Sequence, residues 1–157
     1  MTQGEQAPDD SERPIILLDV DGVLNPTMVG GEAAISSERA DLVLKLARAG
    51  ELVWVTSWPA DVTSQLARAI GLEGQMRRVP LVGTSDGAST PKLRSIARWV
   101  ERSTLPLTPV VWIDDWLRSD ARAWAAGQER SWLLVQPDPA TGLTRVHVEA
   151  IAEFLTA

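Results

Sequence analysis

The stretch Ile15-Ile16-Leu17-Leu18-Asp19-Val20-Asp21-Gly22 decides the fold: a continuous apolar run that stops on two acids and a glycine. Continuous apolarity over so few residues suits a strand covered on both faces, as in a parallel sheet. Four further runs follow, Leu52 to Val55, Val79 to Val82, Val110 to Ile113 and Trp132 to Val135. Between them lie amphipathic stretches. Val62, Leu66, Ala69 and Ile70 repeat at helical spacing, as do Leu93, Ile96, Ala97 and Val100. Asp41 to Ala49, Leu117 to Ala126 and Arg145 to Leu155 complete the expected helices. Thr90-Pro91 reads as N-cap and first helical residue, and Ala49-Gly50 and Ile70-Gly71 as helix exits. The alternation predicts an α/β fold: one Rossmann-like domain over 14–157, a mainly parallel five-stranded sheet with helices on both faces. Residues 1–13 read as a disordered leader.

Composition narrows the chemistry. The chain of 157 residues has no cysteine and one histidine, which excludes disulfides, thiolate metal sites, thiol catalysis and multi-histidine metal centres. Acids outnumber bases 21 to 15, a formal charge of −6, so a nucleic-acid partner stays open but draws no support from net charge. No run approaches the roughly 20 apolar residues of a membrane span, and no signal-peptide pattern occurs, so the expectation is a cytoplasmic protein without a membrane partner. The sequence carries no information on oligomeric state.

In an open parallel sheet, ligands bind beyond the carboxyl ends of the strands. The polar residues found there are Asp19, Asp21 and Gly22 after the first run, Thr56 and Ser57 after the second, and Asp114 and Asp115 after the fourth. Lys92 opens the helix leading to that fourth strand. Gly22 lets the backbone turn so that Asp19 and Asp21 face one pocket. Four ionised acids and one lysine sum to −3. A divalent cation with oxygen ligands, Mg²⁺ being the natural choice, and one proton retained on an acid bring the pocket close to neutrality. That set describes phosphoryl transfer through an aspartyl-phosphate. Asp19 is then the nucleophile and Asp21, kept protonated by its neighbours, the acid/base. Thr56 and backbone N–H groups around Val20, Gly22 and Ser57 cradle the phosphate, and Lys92 neutralises it.

These residues resemble a known family. Ile16-Leu17-Leu18-Asp19-Val20-Asp21-Gly22-Val23-Leu24 is similar to the first motif of the haloacid dehalogenase superfamily, most of whose members are phosphatases. Val53-Trp54-Val55-Thr56-Ser57-Trp58 resembles the second, Lys92 stands where the third is expected, and Val111-Trp112-Ile113-Asp114-Asp115 matches the fourth. The resemblance spans about 14–136. It implies Asp19 as nucleophile, Asp21 as acid/base, and Thr56 and Lys92 as phosphate ligands. It also implies Mg²⁺ on Asp19, the Asp21 backbone carbonyl and Asp114, with Asp115 bound directly or through water. The tryptophan-bearing second and fourth motifs resemble, more narrowly, the cap-less domains of Swiss Army Knife RNA-repair proteins.

Only 34 residues separate Asp21 from Thr56, and 35 separate Thr56 from Lys92. Neither gap holds a folded cap, so the site is expected to be open, with 25–35 as a small flap. An open site suits a phosphate on a bulky carrier, a polynucleotide end or a protein, whose identity the sequence does not give. The alternative is a non-catalytic binding scaffold of the same fold, associated with RNA repair. Several residues also carry plainer readings. Asp114 and Asp115 serve equally to cap a helix near Trp116. Trp58 and Trp116 either pack or wall the pocket. Arg94, Arg98 and Arg102 form a stripe that reads as a solvated face, and His147 reads as structural.

Overall fold

The computed structural model describes residues 13–83 and 89–157. The expected leader, Arg13 apart, lies outside them. Strand β1 (Ile15–Leu18) is wholly buried, as its apolar run requires, and pairs in parallel with β4 (Glu51–Trp54) on one side and β6 (Val110–Ile113) on the other. β5 (Arg77–Arg78) and β7 (Trp132–Val135) form the edges, giving the order β5-β4-β1-β6-β7, parallel throughout. Leu18, Trp54, Ile113 and Val135 share one row across the sheet. The ladder continues one step past it: Asp19 N–H donates to Ile113 O, Val55 N–H to Leu18 O and Asp114 N–H to Val135 O. The residues that follow the apolar runs therefore emerge side by side along one edge.

Alternate residues of the strands feed two cores. On one face Ile16, Leu18, Leu52, Trp54, Val111 and Ile113 pack with α1 (Ser37–Ala49), α2 (Ala60–Ile70) and α5 (Arg145–Thr156). On the other, Ile15, Leu17, Val53, Val110 and Trp112 pack with α3 (Leu93–Ser103) and α4 (Ser119–Ala126). Trp112 is wholly buried, a gross transfer gain of roughly 4–6 kcal/mol for a side chain of that size. The expected fold class is thus the observed one. No helix among the described residues is long and apolar enough to cross a membrane.

Two local expectations are corrected. The third apolar run, Val79 to Val82, is not a strand. The edge strand is Arg77–Arg78, and only Val79 extends its pairing, through Val79 N–H to Trp54 O. Pro80 has no N–H to donate, so the ladder ends there. Thr90 does not cap α3, which begins at Leu93 with Lys92 at its N-cap. Its hydroxyl is spent on the next helix instead, donating to Asp120 Oδ1 at 2.6 Å and accepting from Arg118 N–H at 2.9 Å.

The segment after β1 closes a turn, with the N–H groups of Val23, Leu24 and Asn25 all directed at Val20 O. A hairpin follows, β2 (Thr27–Val29) and β3 (Glu32–Ala34), joined by Gly30 and Gly31, both with positive φ. Paired positive φ values match the twist of a two-residue hairpin turn. This is the expected flap. Met28 and Val29 are exposed on it while Ala33 anchors it in the core.

Candidate active site

A cavity of about 510 Å³ opens at the carboxyl edge of the sheet, and Asp19, Asp21, Thr56, Ser57, Lys92, Asp114 and Asp115 all line it. Gly22 sits beside it. Its φ is +76°, and a Cβ there would overlap the Asp115 carboxylate. The glycine is thus required by the turn and by the close approach of the two loops.

Lys92 is the centre of the arrangement. Its Nζ lies 2.8 Å from Asp19 Oδ1 and 3.0 Å from Asp114 Oδ2. Asp19 and Asp114 are both buried. Burial, and then the neighbouring Asp114, push the Asp19 carboxyl up to about 7, against the pull of Lys92 and of the Val20 N–H. Burial likewise raises Asp114, opposed by Lys92 and by the Trp116 N–H that donates to its Oδ1 at 2.9 Å. Burial alone would lower the Lys92 ammonium, but the two carboxylates outweigh it and hold it above its ordinary value. The helix expected near Trp116 begins instead at Ser119, with Arg118 at its N-cap, so Asp114 caps no helix; it holds the loop at Trp116 and faces the cluster.

Asp19, Asp114 and Asp115 each offer a carboxylate oxygen, all within 4.8 Å of one another. Three carboxylates and one ammonium sum to −2 when all are ionised, and burial, with the repulsion between the acids second, raises the proton affinity of Asp19 and Asp114. The donor set, all oxygen and short of positive charge, fits a hard divalent cation. Asp21 stands apart from this group. It is exposed, and its Oδ2 accepts the indole N–H of Trp58 at 2.9 Å. Burial and charge repulsion raise the proton affinity of Asp19 and Asp114.

Two of the backbone donors expected to cradle a phosphate are engaged within the chain. Val20 N–H donates to Asp19 Oδ1 and Gly22 N–H to Asn25 Oδ1, at 2.8 and 2.7 Å. Of the expected backbone donors, Ser57 N–H is left without a partner among the described residues. The buried Thr56 accepts Trp58 N–H on its Oγ1, which leaves its hydroxyl proton to donate.

Three supporting residues had not been singled out from sequence. Arg78, at the end of β5, donates to the carbonyls of Thr56 and Trp58 and so fixes the loop that carries both. Asn25, at φ +46°, receives Gly22 N–H and donates to Pro139 O. Arg39 reaches from α1 to Leu24 O and Thr141 O, tying the turn to the loop before α5. Each makes a contact to a residue far off in the chain. Only Asn25, a residue tolerant of positive φ beside a glycine turn, gave a local signal. His147 is structural, as expected, its Nδ1 accepting Thr144 N–H at the start of α5. Trp116 is exposed, with the Arg118 guanidinium 5.1 Å from its ring centroid.

A parallel sheet with its acids, threonine and lysine gathered at one carboxyl edge defines a haloacid-dehalogenase-like domain. Residues 15–148 match the family described as the HAD domain in Swiss Army Knife RNA repair proteins, and the chain belongs to that family. No curated protein matches the sequence. Among solved structures the chain is similar to the 3-deoxy-D-manno-octulosonate 8-phosphate phosphatase of Yersinia pestis, with a TM-score of 0.46 and 12% identity over 93% of this chain and 82% of that one. It is also similar to a hypothetical protein of Xanthomonas campestris, with a TM-score of 0.38 and 17% identity over 84% and 70% of the two chains.

Proposed function

We propose that this chain is a phosphomonoester hydrolase that works through an aspartyl-phosphate on Asp19, with a divalent cation, Mg²⁺ by preference, as cofactor. The observation that carries this reading is the Lys92 ammonium held between Asp19 and Asp114 on the wall of an open cavity that Thr56 and Asp21 share. Asp19, Asp114 and Asp115 would hold the cation. When bound it neutralises charge on the phosphoryl oxygens and on Asp19.

The chain's own residues do the rest. An Asp19 oxygen bonds to phosphorus as the bond to the leaving oxygen breaks, and Asp21 gives that oxygen its proton. Lys92, the Thr56 hydroxyl and the Ser57 N–H hold the transferring oxygens. Water then attacks phosphorus, Asp21 takes its proton, and the Asp19–phosphorus bond breaks to release phosphate. With the β2–β3 hairpin as the only flap among the described residues, the pocket leaves room for a phosphate carried on a bulky molecule, such as a polynucleotide end or a protein.

The test is hydrolysis of p-nitrophenyl phosphate with Mg²⁺ by the wild type and by Asp19→Asn. Turnover that disappears in the variant is the expected result. Turnover that survives it, or none by the wild type on any of a panel of phosphomonoesters, overturns the reading and leaves a binding scaffold.

A further inference from the structure

A second cavity, of about 370 Å³, lies beside the reaction centre and is lined by Pro80, Val82, Ser95, Arg98, Trp99 and Arg102 among others. Val82 and Ser95 line both cavities, so the two adjoin. The neck is held by the Val82 N–H donating to Ser95 Oγ at 3.1 Å. Helix α3 runs along this groove. It starts from Lys92 at the reaction centre and presents Ser95, then Arg98 with Trp99, then Arg102, on successive turns. At the helical rise of 1.5 Å per residue, Arg98 and Arg102 stand about 9 and 15 Å along the axis from Lys92.

The chemistry of the groove differs from that of the rest of the chain. The protein carries a net charge of −6, yet α3 contains Arg94, Arg98 and Arg102 against Glu101 alone. Arg98 and Arg102 are exposed and have neither an ion pair nor a hydrogen-bond partner among the described residues. Their guanidinium groups are uncommitted. The apolar wall is built from Pro80, the exposed Val82 and the half-buried Trp99. Trp99 is braced from one side by Arg77, whose guanidinium lies 5.0 Å from the ring centroid and is itself locked to both carboxylate oxygens of Glu51. A braced aromatic beside free guanidinium groups accepts a flat ring and an anion together, the combination that single nucleotides present.

We infer that this groove binds the leaving group of the substrate, taking a flat ring against Pro80, Val82 and Trp99 and a second phosphate on Arg98 and Arg102. The preferred substrate is then a phosphomonoester whose alcohol is a nucleoside carrying another phosphate. This deepens the phosphatase reading and rests on it.

Three probes separate the two claims. p-Nitrophenyl phosphate has neither nucleoside nor second phosphate, so its turnover by the wild type tests the phosphatase reading alone. Adenosine 3′,5′-bisphosphate and adenosine 5′-monophosphate differ in the second phosphate. The wild type is expected to favour the bisphosphate by at least about tenfold in kcat/KM, and Arg98→Ala/Arg102→Ala to bring the ratio near one. A ratio near one in the wild type, a ratio unchanged in the double variant, or a stronger preference for a phosphoserine peptide overturns the proposal while leaving p-nitrophenyl phosphate turnover intact. Equilibrium binding gives a readout that needs no turnover. In an Asp19→Asn background the bisphosphate should bind at least about tenfold more weakly once Arg98 and Arg102 are replaced, and equal affinity overturns the proposal.

Discussion

The indole N–H of Trp58 donates to Asp21 Oδ2 at 2.9 Å, joining the loop after β4 to the turn after β1. Trp58 is anchored at its other end, its ring packed on the core and its carbonyl held by Arg78. The acid of the proposed reaction is therefore oriented by a side chain that need not touch substrate. Proton donation matters most when the leaving oxygen is a poor leaving group. Trp58→Phe is expected to lower kcat/KM for an alkyl phosphomonoester by about tenfold or more, and for p-nitrophenyl phosphate by less than about threefold. Equal losses on both substrates would mean that Trp58 only packs.

Lys92 faces two buried carboxylates, and its removal leaves them facing each other. Breaking a buried ion pair from one side costs about 3–5 kcal/mol. Lys92→Met should therefore be strongly destabilised at pH 8 and less so at pH 5, where Asp19 takes up a proton. Phosphatase turnover should fall on the order of 10²–10³-fold, as for loss of one donor to a charged transition state. Denaturant melts at the two pH values check the first point, and p-nitrophenyl phosphate kinetics the second. A variant equally stable at both would show that the ion pairs do not carry this energy.

The parts of the site that were legible in sequence are those set by where strands end. Asp19, Thr56 and Asp114 each follow a run of apolar residues, and the parallel register brings those ends together whatever the side chains do. Lys92 was legible because it opens the helix leading to the fourth strand, where the third motif is expected. What stayed hidden depends on rotamers and on contacts far apart in the chain. Nothing in the order of residues says that Trp58 would reach Asp21, or that Arg78 rather than another of the thirteen arginines would hold the Thr56 loop. Val79 to Val82 misled because an apolar run does not by itself report strand pairing. Val79 is buried and Val82 is exposed at the groove, with Pro80 between them ending the ladder.

Gly22 adopts a φ of +76° directly against Asp115. Alanine there meets two costs, a left-handed backbone and a Cβ inside the Asp115 carboxylate, so Asp115 must move. Gly22→Ala should lose about 2 kcal/mol or more of stability, a fall in Tm of about 4–8 °C for a chain of this size. It should also bind Mg²⁺ more weakly, because one of the three clustered carboxylates is displaced. Thermal melts and magnesium titrations measure the two effects. An unchanged Mg²⁺ affinity in a folded variant would remove Asp115 from the cation site.

The pH dependence of the cation-free protein follows from Asp19. Its carboxyl is raised from 3.8 to about 7 by burial and by Asp114. The folded chain therefore keeps a proton that the unfolded chain releases between these values. Stability from this group is full below about pH 4, falls as pH rises to about 7, and is flat beyond. Asp114 is shifted in the same direction. Lys92, raised above 10.5, adds stability that is lost only at higher pH, outside this window. Asp120 is lowered by its bond to Thr90 and so acts in the opposite sense, but only below pH 4. His147, lowered from 6.5 by burial, also acts in the opposite sense, below pH 6.5, one group against the two buried acids. In EDTA, Tm should therefore decline from pH 5 to pH 8. Mg²⁺ requires the carboxylates ionised, so the rise in Tm that it produces should grow over the same interval, with proton release on binding below pH 7. Calorimetric melts across that range, with EDTA and with Mg²⁺, measure both. A Tm that climbs with pH in EDTA, or a magnesium effect independent of pH, would mean that the buried carboxylates are not the groups that hold the cation.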